Sequence, residues 1–232
     1  VQLLQDGSKG SFTMQNMCNL CWSTAVLDLQ QSVPHVLQLA AACKHLWGDA
    51  VDKDMWQLYQ VHLWLLDSQL PAPGQGLLDV LSQQQLQQCK HSWEQQLTDS
   101  TSIAKASGLH RSVFAAVQAL PAGTWQQPPV LEQRTADGAL SIDIAATTSS
   151  GVQLAIEVDG PSHFVRPNYK LTGPTLFRNR ALAARGYVLV SIPYREWSKL
   201  RGAAQKQQYL LSSLQAAAAE RAASVGKVAG PA

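Results

Sequence analysis

VQLAIEVDGPSHF, residues 152–164, decides the fold. Leu154, Ile156 and Val158 alternate with Ala155, Glu157 and Asp159, the two-residue period of a strand with two different faces. Gly160 and Pro161 then turn the chain. Residues two apart on a strand lie roughly 7 Å apart at Cα, so Glu157 and Asp159 share one face.

Upstream, ALSIDIAA (139–146) alternates in the same way, with Asp143 pointing opposite to Ile142 and Ile144. Ser149-Ser150-Gly151 separates the two runs, and Asp137-Gly138 marks a hairpin turn after a strand-like stretch, Val130 to Arg134. An antiparallel meander is expected. Before it, Ser107 caps a helix through about Leu120, ended by Pro121 and Gly123. Downstream come a helix over 174–185, a buried strand YVLVSIP (187–193), a last helix over 202–224 and a frayed tail from Val225.

Pairing of the two acidic strands brings Asp143, Glu157 and Asp159 together. Clustered carboxylates repel, and desolvation makes the repulsion worse, so a protein normally tolerates such a group for a cation. Mg²⁺ takes one or two carboxylates plus phosphate oxygens, the arrangement with which nucleases activate water. Asp143, Glu157 and Asp159 are therefore candidate catalytic and metal-ligating residues. The alternative is that one of them caps the Gly160 turn and the others are solvated.

Charge is uneven along the chain. Residues 1–106 carry five Lys, no Arg and nine acids, whereas 107–232 carry thirteen bases and seven acids. The stretch 160–202 holds eight bases against Glu196 alone, a balance that suits phosphate contact. His163, Arg166, Lys170, Arg178, Arg180, Arg185, Lys199 and Arg201 are the candidate nucleic-acid-binding residues. Phe164, Tyr169, Tyr194 and Trp197 are interleaved with them as stacking candidates, Trp197 equally a core residue.

The first half reads as helices. Residues 12–29 repeat apolar positions at helical spacing behind Ser11 as N-cap, and 34–47 follow the same period. Asp52 caps a third helix to about Leu66, burying Met55, Leu58, Tyr59, Leu63 and Leu66. Pro71, Pro73 and Gly74 break the pattern before a Gln-rich helix from about Gly76 to Leu97. Helix pairs with short links point to a solenoid-like segment. Trp22, Trp47, Trp56, Trp64 and Trp93 are read as core anchors rather than base-stacking platforms. Cys18 and Cys21 form a C-x-x-C with no second pair or His-x-x-x-His to complete four ligands, so buried reduced thiols are expected, not zinc. No run of about 18 apolar residues suggests a membrane span. A chain that opens on Val1 without a targeting segment is read as the C-terminal part of a longer precursor.

The ordered runs IEVDGPSHF (156–164) and LTGPTLFRNRALAARGYVLVSIPYREW (171–197), with KQQYL (206–210) behind them, resemble the RAP domain, over roughly residues 107–215. The resemblance implies a restriction-endonuclease-like fold of the PD-(D/E)-x-K type, in which Asp143 matches the first acid and Glu157 the second. Asp159 stands where that fold carries its lysine. FTMQNMCNLCWSTAVLD (12–28) is similar to the helical repeats of the octatricopeptide and FASTK-like families that precede RAP domains. An α-helical repeat segment (1–106) followed by an α/β RAP domain (107–224) is thus expected. By resemblance it acts in a mitochondrion or chloroplast on transcript stability, processing or translation, or as a ribosome-associated rRNA-binding component with organellar protein partners. The leading expectation is RNA binding without catalysis and without a cofactor. The alternatives are a Mg²⁺-dependent endoribonuclease and a structural protein-binding adaptor.

Overall fold

A computed structural model of the chain describes residues 12–68 and 76–228. The chain divides into two compact units, Val1–Gln96 and Leu97–Ala232. The division falls inside a helix rather than at the expected boundary of 106.

The first unit is helical. α1 (Met14–Val26) starts at Thr13, whose hydroxyl takes the Asn16 N–H while Asn16 returns an oxygen to the Thr13 N–H. Thr13 is therefore the cap; Ser11 lies outside the described residues. Met14, Met17, Cys18, Cys21 and Ala25 form the buried stripe of α1. α2 (Val33–Cys43) ends earlier than its apolar pattern predicts, because the chain tightens into a 3₁₀ segment over Lys44–Asp49.

α3 (Asp52–Asp67) has Val51 at its cap position and Asp52 as its first helical residue. Asp54, not Asp52, accepts the Val51 N–H. Its middle is buried nearly all round, through Leu58, Val61, Leu63, Trp64 and Leu65, whereas Leu66 is exposed. Gly76–Asp79 is 3₁₀, and α4 (Gln83–Ala106) begins only after Ser82 and Gln85 have capped each other's backbone N–H groups. The expected break at Pro71, Pro73 and Gly74 lies outside the described residues. Gly76 is needed where it stands: its φ is +62°, and a Cβ there would sit 2.2 Å from His62 Nδ1.

Of the five tryptophans in this half only Trp64 is buried; the others are half-buried. Trp22, Trp47 and Trp64 each donate the indole N–H, to Gln60, Gln88 and Asp28. The polar handle of the indole keeps such rings at the edge of a core. All four cysteines are buried and free, with Cys18 Sγ 4.0 Å from Cys43 Sγ.

The second unit is mixed α/β. α5 (Gly108–Gln118) follows Ser107, which occupies the cap position without a side-chain bond. β1 (Trp125–Arg134), β2 (Ser141–Thr148) and β3 (Gln153–Asp159) form the antiparallel meander, and β6 (Val188–Pro193) joins β3 in parallel, giving the order β1-β2-β3-β6. β1 extends further upstream than the apolar run suggests. It accommodates Pro128 and Pro129 because it is an edge strand, and the ladder shifts register between Gln127 and Val130. A two-residue hairpin, β4 (Phe164–Val165) and β5 (Lys170–Leu171), follows β3. α6 (Gly173–Ala184), α7 (Tyr194–Trp197) and α8 (Gly202–Val228) complete the unit. The expected frayed tail is helical as far as Val228. No helix among the described residues is long and apolar enough to cross a membrane.

Leu154, Ile156 and Val158 pair in register with Val188, Val190 and Ile192. These six join Val113 and Val117 of α5, Trp197, and Leu210 and Ala217 of α8 in one core. Trp197 is thereby settled as a core residue, its indole donating to Ser112 Oγ at 3.1 Å. The other face of β3 carries Glu157 and Asp159, which leaves charge to be satisfied under α6.

Candidate functional site

β2 and β3 stop pairing regularly at Ile144↔Ile156. Beyond that point the Asp143 carboxylate accepts the Val158 N–H at 2.7 Å. Asp143 is thereby held at the carboxylate end of β3, beside Glu157 and Asp159, both 0% exposed.

The centre of this acidic group is Arg178, from the middle of α6. Its Nη1 lies 2.9 Å from Glu157 Oε2 and its Nη2 2.9 Å from Asp159 Oδ1. Nε and Nη2 also reach Asn179 Oδ1. Asp159 is further held by the Ser191 hydroxyl, which donates to Oδ2 from the strand beside it. His163 Nδ1 stands 3.3 Å from Asp159 Oδ1 and 3.2 Å from Thr175 Oγ1. Glu157 Oε1 is buried without a hydrogen-bond partner.

Burial pushes the Glu157 carboxyl up to about 8, against the pull of Arg178, with the negative charges of Asp143 and Asp159 adding to the rise. The Arg178 guanidinium, which burial alone would weaken, is raised by Glu157, Asp159 and Asp143 and stays charged. His163 is lowered by burial and by Arg178, so its imidazole is neutral.

Mg²⁺ does not fit the three carboxylates as arranged. A guanidinium already bridges two of them, and the third answers to a backbone N–H and an imidazole.

That imidazole is His110, from the first turn of α5, a residue the motifs did not single out. Its Nε2 lies 3.4 Å from Asp143 Oδ2. Burial would lower His110, but the bond and the charge of Asp143 raise it, and Asp143 is lowered in return despite its own burial. Across the β1–β2 ladder, Leu131↔Ile144 and Gln133↔Ile142 set Glu132 opposite Asp143. Glu132 has a φ of +55°, a strained backbone for a non-glycine residue. His110, Glu132 and Asp143 offer ligand atoms within 4.8 Å of one another. The signal for His110 was its spacing: it falls on the helical face of Val113 and Val117, where a polar residue needs a partner.

The basic candidates separate into two sets. Arg178 is turned inward, and Arg185 donates Nε to Asp137 Oδ2 at 2.7 Å and Nη1 to the Ala181 carbonyl. Arg180 is half-buried on α6. Arg166, Lys170, Lys199 and Arg201 are exposed. Arg195, absent from the candidates, is exposed too, and its guanidinium lies 3.7 Å from the Tyr169 ring centroid. None of these five pairs with an acid among the described residues. Glu196, the acid within this basic stretch, accepts the Tyr209 hydroxyl at 2.7 Å.

Residues 156–213 match the RAP domain family. A chloroplastic RAP domain-containing protein of Oryza sativa subsp. japonica is 45% identical over 58 residues, covering 25% of this chain and 9% of that protein. The chain carries a RAP domain, and Glu157, Asp159, His163, Arg178 and Arg195 all lie within it.

Proposed function

We propose that this chain is an RNA-binding protein of organellar RNA metabolism, whose RAP domain holds RNA without cleaving it. The observation that carries this reading is the division of the basic residues. Arg178 neutralises the carboxylate cluster from within, while Arg166, Lys170, Arg195, Lys199 and Arg201 are left exposed and without acidic partners. Exposed, unneutralised cations are the groups that displace counterions from phosphates. A guanidinium in the place a metal would take, bridging Glu157 and Asp159, favours a nuclease-like scaffold kept for its shape. An antiparallel meander with one parallel strand added is consistent with a restriction-endonuclease-like core. The helical first unit would extend the RNA contact in the manner of octatricopeptide or FASTK-like repeats. A plastid site of action rests on the chloroplastic relative's name, and a mitochondrial one on the family resemblance of the sequence alone.

The second reading is metal-dependent RNA cleavage. One observation favours it: His110, Glu132 and Asp143 form a ligand set suited to a transition metal more than to Mg²⁺.

One experiment separates the two. Labelled single-stranded and structured RNAs are mixed with the purified chain, with and without Mg²⁺ or Mn²⁺. Affinity that falls steeply with salt, on RNA that stays intact, supports the binding reading. Mn²⁺-dependent cleavage that Asp143→Asn abolishes overturns it.

A further inference from the structure

β3 and β6 run parallel with Asp159 in register with Pro193, so the segments that leave them emerge from the same end of the sheet. One segment is the β4–β5 hairpin, the other is α7. Two contacts join them: Phe164 against Tyr194, with ring centroids 6.1 Å apart, and Tyr169 against Arg195. Tyr169 is held in the turn by its N–H to the Val165 carbonyl at 2.8 Å, with a φ of +53°. An aromatic residue in that conformation is strained, and such strain persists where the surrounding structure imposes it. Tyr169 is nevertheless 39% exposed, beside Val165 at 46%. An exposed ring covered on one side by a guanidinium is no core residue.

From this juxtaposition we propose that Tyr169 and Arg195 form a stacking site for an unpaired nucleobase of single-stranded RNA. The inference rests on the RNA-binding reading and names the form of RNA that this end of the domain takes. Tyr169 offers a flat π-face, and every base can stack on one. Arg195 brings a second planar surface, and because the ring holds it without neutralising it, its charge remains available to a phosphate. Arg166 and Lys170 flank the ring in the same hairpin, exposed and unpaired among the described residues, so the strand's backbone has cations to follow. A duplex keeps its base faces stacked internally and presents none to Tyr169.

The test uses the whole chain with three probes: a short unstructured RNA, an abasic strand of the same length and charge, and the corresponding duplex. Tyr169→Ala should weaken binding of the unstructured RNA about tenfold, the size of one base–aromatic stack, and leave the other two probes unchanged. Tyr169→Phe should bind as the parent does, since the ring and not the hydroxyl is used. Arg195→Lys keeps the charge without the plane and should weaken the unstructured RNA alone. The proposal is overturned if the parent chain binds the abasic strand as tightly as the base-bearing one, or if Tyr169→Ala matches the parent on all three. If the parent binds none of the probes, the RNA-binding reading falls first and this inference falls with it.

Discussion

The interior of the RAP domain and the rim of its sheet use the same side chain in opposite ways. Arg178 is packed between Glu157 and Asp159 and is 19% exposed at its side chain. Arg195 lies on the surface over Tyr169, with no acid beside it. In the interior a guanidinium is held by the charges it neutralises, and its removal leaves carboxylates uncompensated. At the rim it is held by a ring, and its charge is free to act on something else. Basic content alone therefore overstates the phosphate-binding surface of this domain: within 160–202, Arg178 and Arg185 are spent on its own acids.

The sharpest way to break this contrast is Arg178→Ala. It should cost about 3–5 kcal/mol of stability in urea unfolding, as expected for removing one partner of a buried pair. A folded, stable Arg178→Ala protein with reduced RNA affinity would instead put Arg178 at the RNA surface. The next largest effect is expected at the rim. Arg166→Ala with Lys170→Ala should reduce the slope of log affinity against log salt by about two, with stability changed by no more than about 0.5 kcal/mol. An unchanged slope would move the RNA contact away from the hairpin.

Glu157 gives a pH-dependent effect. Its carboxyl rises from 4.5 in the ordinary case to about 8 here, so the folded state keeps a proton that the unfolded chain releases. The stability this group contributes is full below pH 4.5 and is lost as pH rises to about 8. Thermal unfolding across that range should show the parent weakening toward alkaline pH and Glu157→Gln declining less steeply. Parallel curves would mean that Arg178 holds Glu157 ionised throughout. The smallest expected change is the stability of Tyr169→Ala, within about 0.5 kcal/mol of the parent, because an exposed ring contributes little to folding.

Much of this was legible in the residues, for identifiable reasons. The alternation in 152–159 predicts β3, and its apolar half is the half that meets β6 and α8. The acids at Asp143, Glu157 and Asp159 do gather, as strand pairing requires. The β4–β5 hairpin was not legible, since strands of two residues carry no period to read. The upstream part of β1 was hidden by Pro128 and Pro129, which read as non-strand until the strand is known to lie at an edge. The start of α4 was misplaced because Gly76 and its neighbours carry apolar residues in a 3₁₀ turn, while the Ser82–Gln85 cap lies further on.

The sequence by itself determined the local elements and the inventory of charge, because periodicity and turn chemistry act between near neighbours. It placed the bases of 160–202 and the acids Asp143, Glu157 and Asp159 in the same half of the chain, along with the ordered runs that mark the RAP family. Which base meets which acid was decided only by the tertiary structure. β3 leads into the hairpin and α6 while the parallel β6 leads into α7, and in the folded domain Arg178 meets the carboxylates while Arg195 lies on Tyr169. Electrostatic partners are chosen by distance in space, and burial then fixes what each pairing is worth.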